Sequence, residues 1–316
     1  MLELGPVVAS LPDILRLVAV PAFMLAAYQD LRTRRVSNRL WPPLVAVAVV
    51  ALLLEAWMAY EDGGAVWREF ILVTGLSIGL LIPLAYGFWY FGGFGGADAK
   101  AIMVLAVLFP TIPHYEFANW IIPASEFAAG VFSLSILTNA VLLGLLYPLT
   151  LLSINIWGRT FDRRMFLGRK ISVTQTVELP GRLLETPAGV ERGLDLDALR
   201  MYLRWRDSDL DALLADPDHH RSTVPTDPED PGDGAIPDGG ANEDPWAAEA
   251  FLKDTQHGAY GTTPEMLRAS LELLVEREQV WYTPGIPFIL LMFGGILVAL
   301  TYGDILGTIM TMLGLV

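Results

Sequence analysis

The chain has 316 residues, 53% of them hydrophobic, and a mean hydropathy of +0.45; this argues against an ordinary soluble domain and for a protein that crosses a membrane several times. It has no cysteine, which excludes a disulfide scaffold, a thiol nucleophile and thiolate zinc sites. The formal net charge of −14 is largely local: between Asp207 and Asp254, 14 acidic residues stand against Arg221 and Lys253, either an acidic cytosolic loop or an adaptation to high salt.

A spanning helix needs about 20 mostly apolar residues. The first candidate is 8–29, whose polar interruptions Asp13 and Arg16 lie near one end and can snorkel to the interface. It lacks a basic segment followed by a small-residue cleavage site, so it reads as a retained span. Further spans are expected at 40–60, 70–91, 99–113, 128–154 and 284–302. Span 99–113 is short, ending at Pro110 and Pro113, and chain through Trp120-Ile121-Ile122 can complete it. Gly75 and Gly79 in the third span have the spacing of a helix-packing face.

The expected architecture is an all-α polytopic membrane protein with six transmembrane helices. A mixed, partly disordered cytoplasmic insert precedes the last helix. Residues 1–154 form the membrane domain with spans one to five, 155–283 the insert, and 284–316 the last span and C-terminus. Within the insert, 171–179 alternates as a strand does, and 196–214 has the period of a helix with Asp195 as N-cap. Residues 216–245 are rich in Pro, Asp and Gly and are expected to be disordered, with His219 and His220 in solvated loop. Thr263-Pro264-Glu265 starts a helix running toward Gln279.

Loop charges set the orientation. Arg32, Arg34, Arg35 and Arg39 follow span one, and Arg159, Arg163, Arg164, Arg169 and Lys170 follow span five. Between spans two and three, Glu61, Asp62 and Glu69 outnumber Arg68, and no Lys or Arg lies between spans four and five. The positive-inside rule then puts both termini outside and the insert inside, in a multi-pass protein of the plasma membrane.

This topology brings Asp30, at the end of span one, and Asp98, at the start of span four, to one membrane face. Ionisable groups at a membrane margin are functional candidates. Two carboxylates, one ionised and one protonated, can hydrolyse a peptide bond: one takes a proton from the attacking water, the other donates to the carbonyl oxygen. Their mutual repulsion separates the two ionisations, so the pair titrates as a dyad. Gly92, Gly93, Gly95 and Gly96 form either a mobile turn that brings Asp98 to Asp30 or a plain loop.

Gly95-Gly96-Ala97-Asp98 resembles the Gly-x-Gly-Asp signature of membrane aspartic proteases, with Ala97 in place of the second glycine. The segment from Asp30 through Arg32 to Asn38 resembles the first-aspartate motif of the prepilin/preflagellin peptidase family. Lys100 fits a frequent pattern of that family, and Pro284-Gly285-Ile286-Pro287-Phe288 is similar to its archaeal branch. The resemblance covers the membrane part, about two thirds of the chain. It implies catalysis by Asp30 and Asp98, with Gly95, Gly96, Ala97, Arg32, Asn38 and Lys100 in the supporting motifs. It also implies archaellin and type IV pilin-like precursors as substrates, whose short basic leader is cut at the cytoplasmic face. Without the cysteine-rich loop of bacterial relatives, a peptidase without methyltransferase activity is favoured.

No cofactor, metal or nucleic-acid partner is expected; membrane lipid is. The Arg32–Arg39 cluster can hold lipid or substrate, or only set topology, and Asn38 can bond near the dyad or cap span two. Lys100 points away from Asp98 and Asp162 joins surface ion pairs, while Glu55, Glu126 and Asp304 fall toward the outer face. Two other functions stay open: a proton- or ion-coupled transporter, which predicts inverted repeats and acids at mid-membrane, and a scaffold presenting the acidic insert, which predicts dispensable aspartates.

Overall fold

The computed structural model describes residues 2–4, 7–117, 120–125, 130–185, 193–221, 244–255, 259–285 and 287–315. Strands β1 (Leu2–Leu4) and β2 (Val7–Ala9) lead into helices α1 (Leu11–Arg16) and α2 (Ala19–Thr33). Then come α3 (Trp41–Asp62), α4 (Gly64–Tyr90), α5 (Gly96–Leu108), β3 (Tyr115–Phe117), β4 (Trp120–Ile122) and α6 (Phe132–Trp157). The middle of the chain holds β5 (Arg169–Ser172), β6 (Arg182–Leu183), α7 (Leu196–Trp205), α8 (Leu210–Ala215), α9 (Pro217–Arg221), α10 (Ala248–Asp254), α11 (Pro264–Glu276) and β7 (Gln279–Thr283). The chain closes with α12 (Phe288–Thr301) and α13 (Ile305–Met312). Two compact units result, 1–147 with 287–316, and 148–286.

In the first unit the helices are apolar inside and out: Ala48 and Ala51 of α3 are buried, while Leu53 and Trp57 face outward. A helix apolar on every side suits lipid, where its backbone bonds are all satisfied internally. Among the described residues, four segments are long and apolar enough to cross a membrane: Leu11–Thr33, Asn38–Asp62, Gly64–Tyr90 and Phe132–Trp157. A fifth is possible if α12 and α13, bent by 62°, count as one. The protein is a mostly helical, multi-pass membrane protein.

The segment expected as span four differs. α5 has 13 residues, about 20 Å of helix against a hydrocarbon core of about 30 Å. Phe109 leaves helical geometry (φ −127°, ψ 53°) because it precedes Pro110, a position that disfavours the α conformation. α5 is also deeply buried, with Ala99, Ala101, Ile102, Val104, Leu105, Ala106 and Leu108 enclosed, and it packs on α3 and α4. After it, Trp120–Ile122 is a strand, in a four-stranded antiparallel sheet of order β1-β2-β3-β4 with Val7 opposite Phe117. Three-residue strands in an apolar sequence carry no visible period, so this addition to the helical fold is not legible from pattern.

Two other expectations change. Gly75 and Gly79 pack against nothing within the chain; a Cβ at either would meet open space. The inward residue of α4 is Ser77, bonded to Ala106 O and Ser133 Oγ. The glycine that permits close helix approach is Gly295 of α12, where a Cβ would lie 2.5 Å from Ile136 O on α6. Asp13 and Arg16 do not snorkel; both are buried and bonded to each other.

The second unit is a three-stranded antiparallel sheet of order β5-β7-β6 with helices α7–α11 packed around a core that includes Leu199, Tyr202, Trp246, Phe251 and Leu271. The strand expected over 171–179 is Arg169–Ser172, followed by a 3-10 turn, and the single helix over 196–214 is α7 and α8, with Asp195 accepting from Asp197 N as the N-cap. Thr263 caps α11, accepting from Met266 N at 3.2 Å, yet the helix stops at Glu276 and β7 becomes the central strand. Most of the segment expected to be disordered, 222–243, lies outside the described residues, as does Glu126. Its start is ordered: α9 buries His220, which bonds Ser208 Oγ at 2.9 Å and Asp216 O at 2.9 Å.

Candidate active site

Asp30 sits in the last turn of α2. That helix is ended by Arg34, whose left-handed backbone (φ 53°, ψ 20°) lets its N–H donate to Asp30 O at 3.0 Å. Gln29 Oε1 then takes the N–H of Ser37 at 3.0 Å, and Ser37 caps the short 3-10 turn Asn38–Leu40 that enters α3. The basic loop after Asp30 is thus folded back on the helix that carries it. The Arg34 cation and the backbone N–H of Ile289, in the first turn of α12, both act on the Asp30 carboxylate electrostatically.

Asp98 is the third residue of α5. Its Oδ2 accepts from the N–H of Gly95, the helix's N-cap residue, at 3.1 Å. The preceding glycines form a defined turn: Gly92 takes φ +73°, and the N–H groups of Gly93 and Phe94 both donate to Phe88 O. A Cβ on Gly95 would lie 3.0 Å from Asp98 Oδ2, so glycine there leaves the carboxylate its space. Gly95 itself is extended (φ −66°, ψ 155°), and Ala97 is in the first turn of the helix, where alanine is well suited.

The two carboxyls are both half-buried, and the charge of Asp30 acts on Asp98. A backbone N–H at the start of a helix also acts on each: that of Gly95 is bonded to Asp98 at the start of α5, and that of Ile289 at the start of α12 favours the charge of Asp30. Exposed helix N–H groups and the helix dipole favour negative charge at these positions. The arrangement can hold two interacting carboxylates with different donors, the condition for one to act as acid while the other acts as base.

The supporting residues divide. Lys100 Nζ donates to Asn38 Oδ1 at 2.7 Å, so Asn38 neither caps α3 nor touches the dyad. Arg32 is exposed and lies over the Tyr28 ring, 5.2 Å from its centroid. Asp162 pairs with Arg164 at 3.7 Å. The span at 284–302 was expected, but its place beside the aspartates was not: Phe288 of α12 stacks on Phe94 with centroids 5.3 Å apart, and the Ile289 amide acts on Asp30. A signal was present, because Phe288 ends the Pro284–Phe288 motif that resembles the archaeal branch. No group of three or more potential metal ligands forms among the described residues.

Residues 17–149 match the family model described as the type IV leader peptidase family. The matched segment runs from the end of α1 into α6 and contains both aspartates. No curated protein and no solved structure matches the chain.

Proposed function

We propose that this chain, which over residues 17–149 belongs to the type IV leader peptidase family, is an aspartic endopeptidase with Asp30 and Asp98 as its dyad. The substrates are the precursors of archaellins and type IV pilin-like proteins, cut between a short basic leader and the apolar segment that follows. The observation that carries this is the joining of two helix ends: Asp30 closes α2, Asp98 opens α5, and Lys100, two residues past Asp98, donates to Asn38 Oδ1 in the segment after Asp30 at 2.7 Å.

In this mechanism one carboxylate takes a proton from water as the oxygen attacks the scissile carbonyl carbon. The other, protonated, donates to the carbonyl oxygen. When the tetrahedral species collapses, the C–N bond breaks and a proton passes to the leaving amine, restoring the shared proton of the dyad. Phe94 and Phe288, stacked beside the Gly95 turn, give the site an apolar wall on which an extended apolar segment can lie. The reaction needs no cofactor, and the lack of cysteine favours a peptidase without the methyltransferase activity of bacterial relatives.

The loop charges support six membrane passes, counting α5 with the chain through Ile122 as one and α12 with α13 as another. Both termini are then outside, and the dyad and the insert that follows α6 are cytoplasmic, where the basic leader resides. The test is coexpression with a tagged archaellin or pilin precursor. The native chain cleaves it, and Asp30→Asn and Asp98→Asn each abolish cleavage; normal processing by either variant overturns the assignment.

A further inference from the structure

Arg16 is 1% exposed, inside an apolar helical unit and at the opposite end of α1–α2 from Asp30. A cation at such a position is retained for a reason. Its Nε donates to Leu108 O at 2.8 Å, the last residue of α5. Its Nη1 donates to Asp13 Oδ1 at 2.8 Å and its Nη2 to Thr111 Oγ1 at 2.9 Å and to Glu55 on α3. Thr111 also donates to Glu55, Ser10 Oγ donates to the Asp13 carboxylate at 2.6 Å, and Tyr115 donates to Asp13 O at 2.8 Å. The guanidinium is thus a cationic cap on the C-terminus of α5, where the helix dipole favours positive charge.

We propose that Arg16 is a positioning residue for the dyad, a lock that fixes the depth of the helix carrying Asp98 against the helix carrying Asp30. The inference rests on the dyad proposed above. α2 and α5 share little direct packing: α2 lies chiefly on α12, and α5 on α4 and α3. Their relative register is therefore not set by an interface of their own. Asp30 lies 14 residues beyond Arg16, and Asp98 lies 10 before Leu108, which puts both acids about 15–20 Å from the lock. α5 is too short to be held by the length of the bilayer, and apolar surfaces in lipid resist sliding weakly. A slip at Leu108 appears undiminished at Asp98, because a helix transmits axial displacement along its length. Depth is the coordinate that matters, since displacement of a catalytic group by about 1 Å can cost 10²-fold in rate.

The experiment uses the full chain in lipid vesicles with a tagged precursor bearing a basic leader. Because there is no native cysteine, cysteines introduced at Leu31 and Gly96 are the only labelling sites, and spin labels there report the separation of the two helix ends. Arg16→Gln is expected to lower kcat by about 10²-fold with KM little changed, and to broaden the label distance distribution. Arg16→Lys, which can reach Leu108 O or an acid but not all four acceptors, restores part of both. A triple variant, Arg16→Met with Asp13→Asn and Glu55→Gln, strands no carboxylate and keeps the unit folded if the single variant does not fold; it still shows the low kcat and the broad distribution. Native kcat in the triple variant overturns the proposal, since only a stranded charge would then have mattered. So does a loss of kcat with an unchanged distribution. Asp30→Asn and Asp98→Asn, measured in parallel, leave the distribution sharp; if they still cleave, the dyad fails and the label result stands alone.

Discussion

Lys100 reaches Asn38, 2.7 Å away, so the cation two residues past Asp98 is bound to the loop that follows Asp30. The bond links the two motif-bearing segments without engaging either carboxylate. The expected consequence is a shared defect. Lys100→Met and Asn38→Ala each slow cleavage by less than about tenfold, and the double variant is no worse than the stronger single one. A full double-mutant cycle of cleavage rates checks this; additive losses would mean that the two residues act separately.

Gly95→Ala puts a methyl group 3.0 Å from Asp98 Oδ2, and the carboxylate has to shift. We expect about a tenfold loss of kcat with the membrane unit intact. Gly96→Ala brings its Cβ only to 3.7 Å from Trp89 Nε1 and costs far less. Ala97→Gly, which supplies the missing glycine of the motif, gains no rate and weakens the helix by up to about 1 kcal/mol. Cleavage assays of the three purified variants rank them.

Gly295→Val should be a folding variant rather than a catalytic one. Its Cβ would lie 2.5 Å from Ile136 O and 2.9 Å from Ala140 N, both backbone atoms that cannot step aside. Overpacking at such contacts costs about 1–3 kcal/mol or more. The expected result is a sharp fall in yield and thermal stability in detergent, with Gly75→Val, whose side chain meets nothing, behaving as native.

The unit 148–286 should lose stability in acid. Glu272 accepts from Arg221 and from Trp246 Nε1, and these bonds, the arginine first, hold its carboxyl below the ordinary 4.5. Burial alone would raise Asp244, but the amides of Glu249 and Ala250 and the Arg268 cation overcome it and hold it low. A carboxyl depressed on folding contributes stability that is complete above its unfolded value and is lost as pH falls through the folded one. Asp195, raised by burial, works the other way and offsets part of the loss. Hydrogen-exchange protection of α11, taken relative to the intrinsic rate at each pH, should therefore fall as pH drops below about 4.5. Glu272→Gln should start less protected at neutral pH and decline less.

Four of the expected spans and the helix-end positions of Asp30 and Asp98 were legible because hydrocarbon imposes a length and a composition on the chain between polar loops. The sequence also showed where α5 begins, since Gly95 and Asp98 make a recognisable helix start. Pro110 and Pro113 showed that α5 is short, but nothing showed that it is buried: an apolar residue facing lipid reads the same as one facing protein. Arg16 was misread for a related reason. Snorkelling and burial differ only in whether partners exist, and Glu55, Thr111 and Leu108 O come from distant segments. In the second unit, two half-buried elements were merged because 196–214 keeps one period across the break between α7 and α8. The role of α12 was hidden because Ile289 contributes only a backbone N–H, which no side-chain pattern reveals.

The place of Ile289 in the chain bears on how the protein is made. Asp30 is synthesised early, while the Ile289 amide that acts on it comes with α12, after the whole of 148–286. On the proposed mechanism, a nascent chain therefore holds both acids but lacks part of their setting. Proteolytic competence is then expected only once α12 is in place, and a chain cut short before Ile289 is expected to leave its neighbours in the membrane uncut.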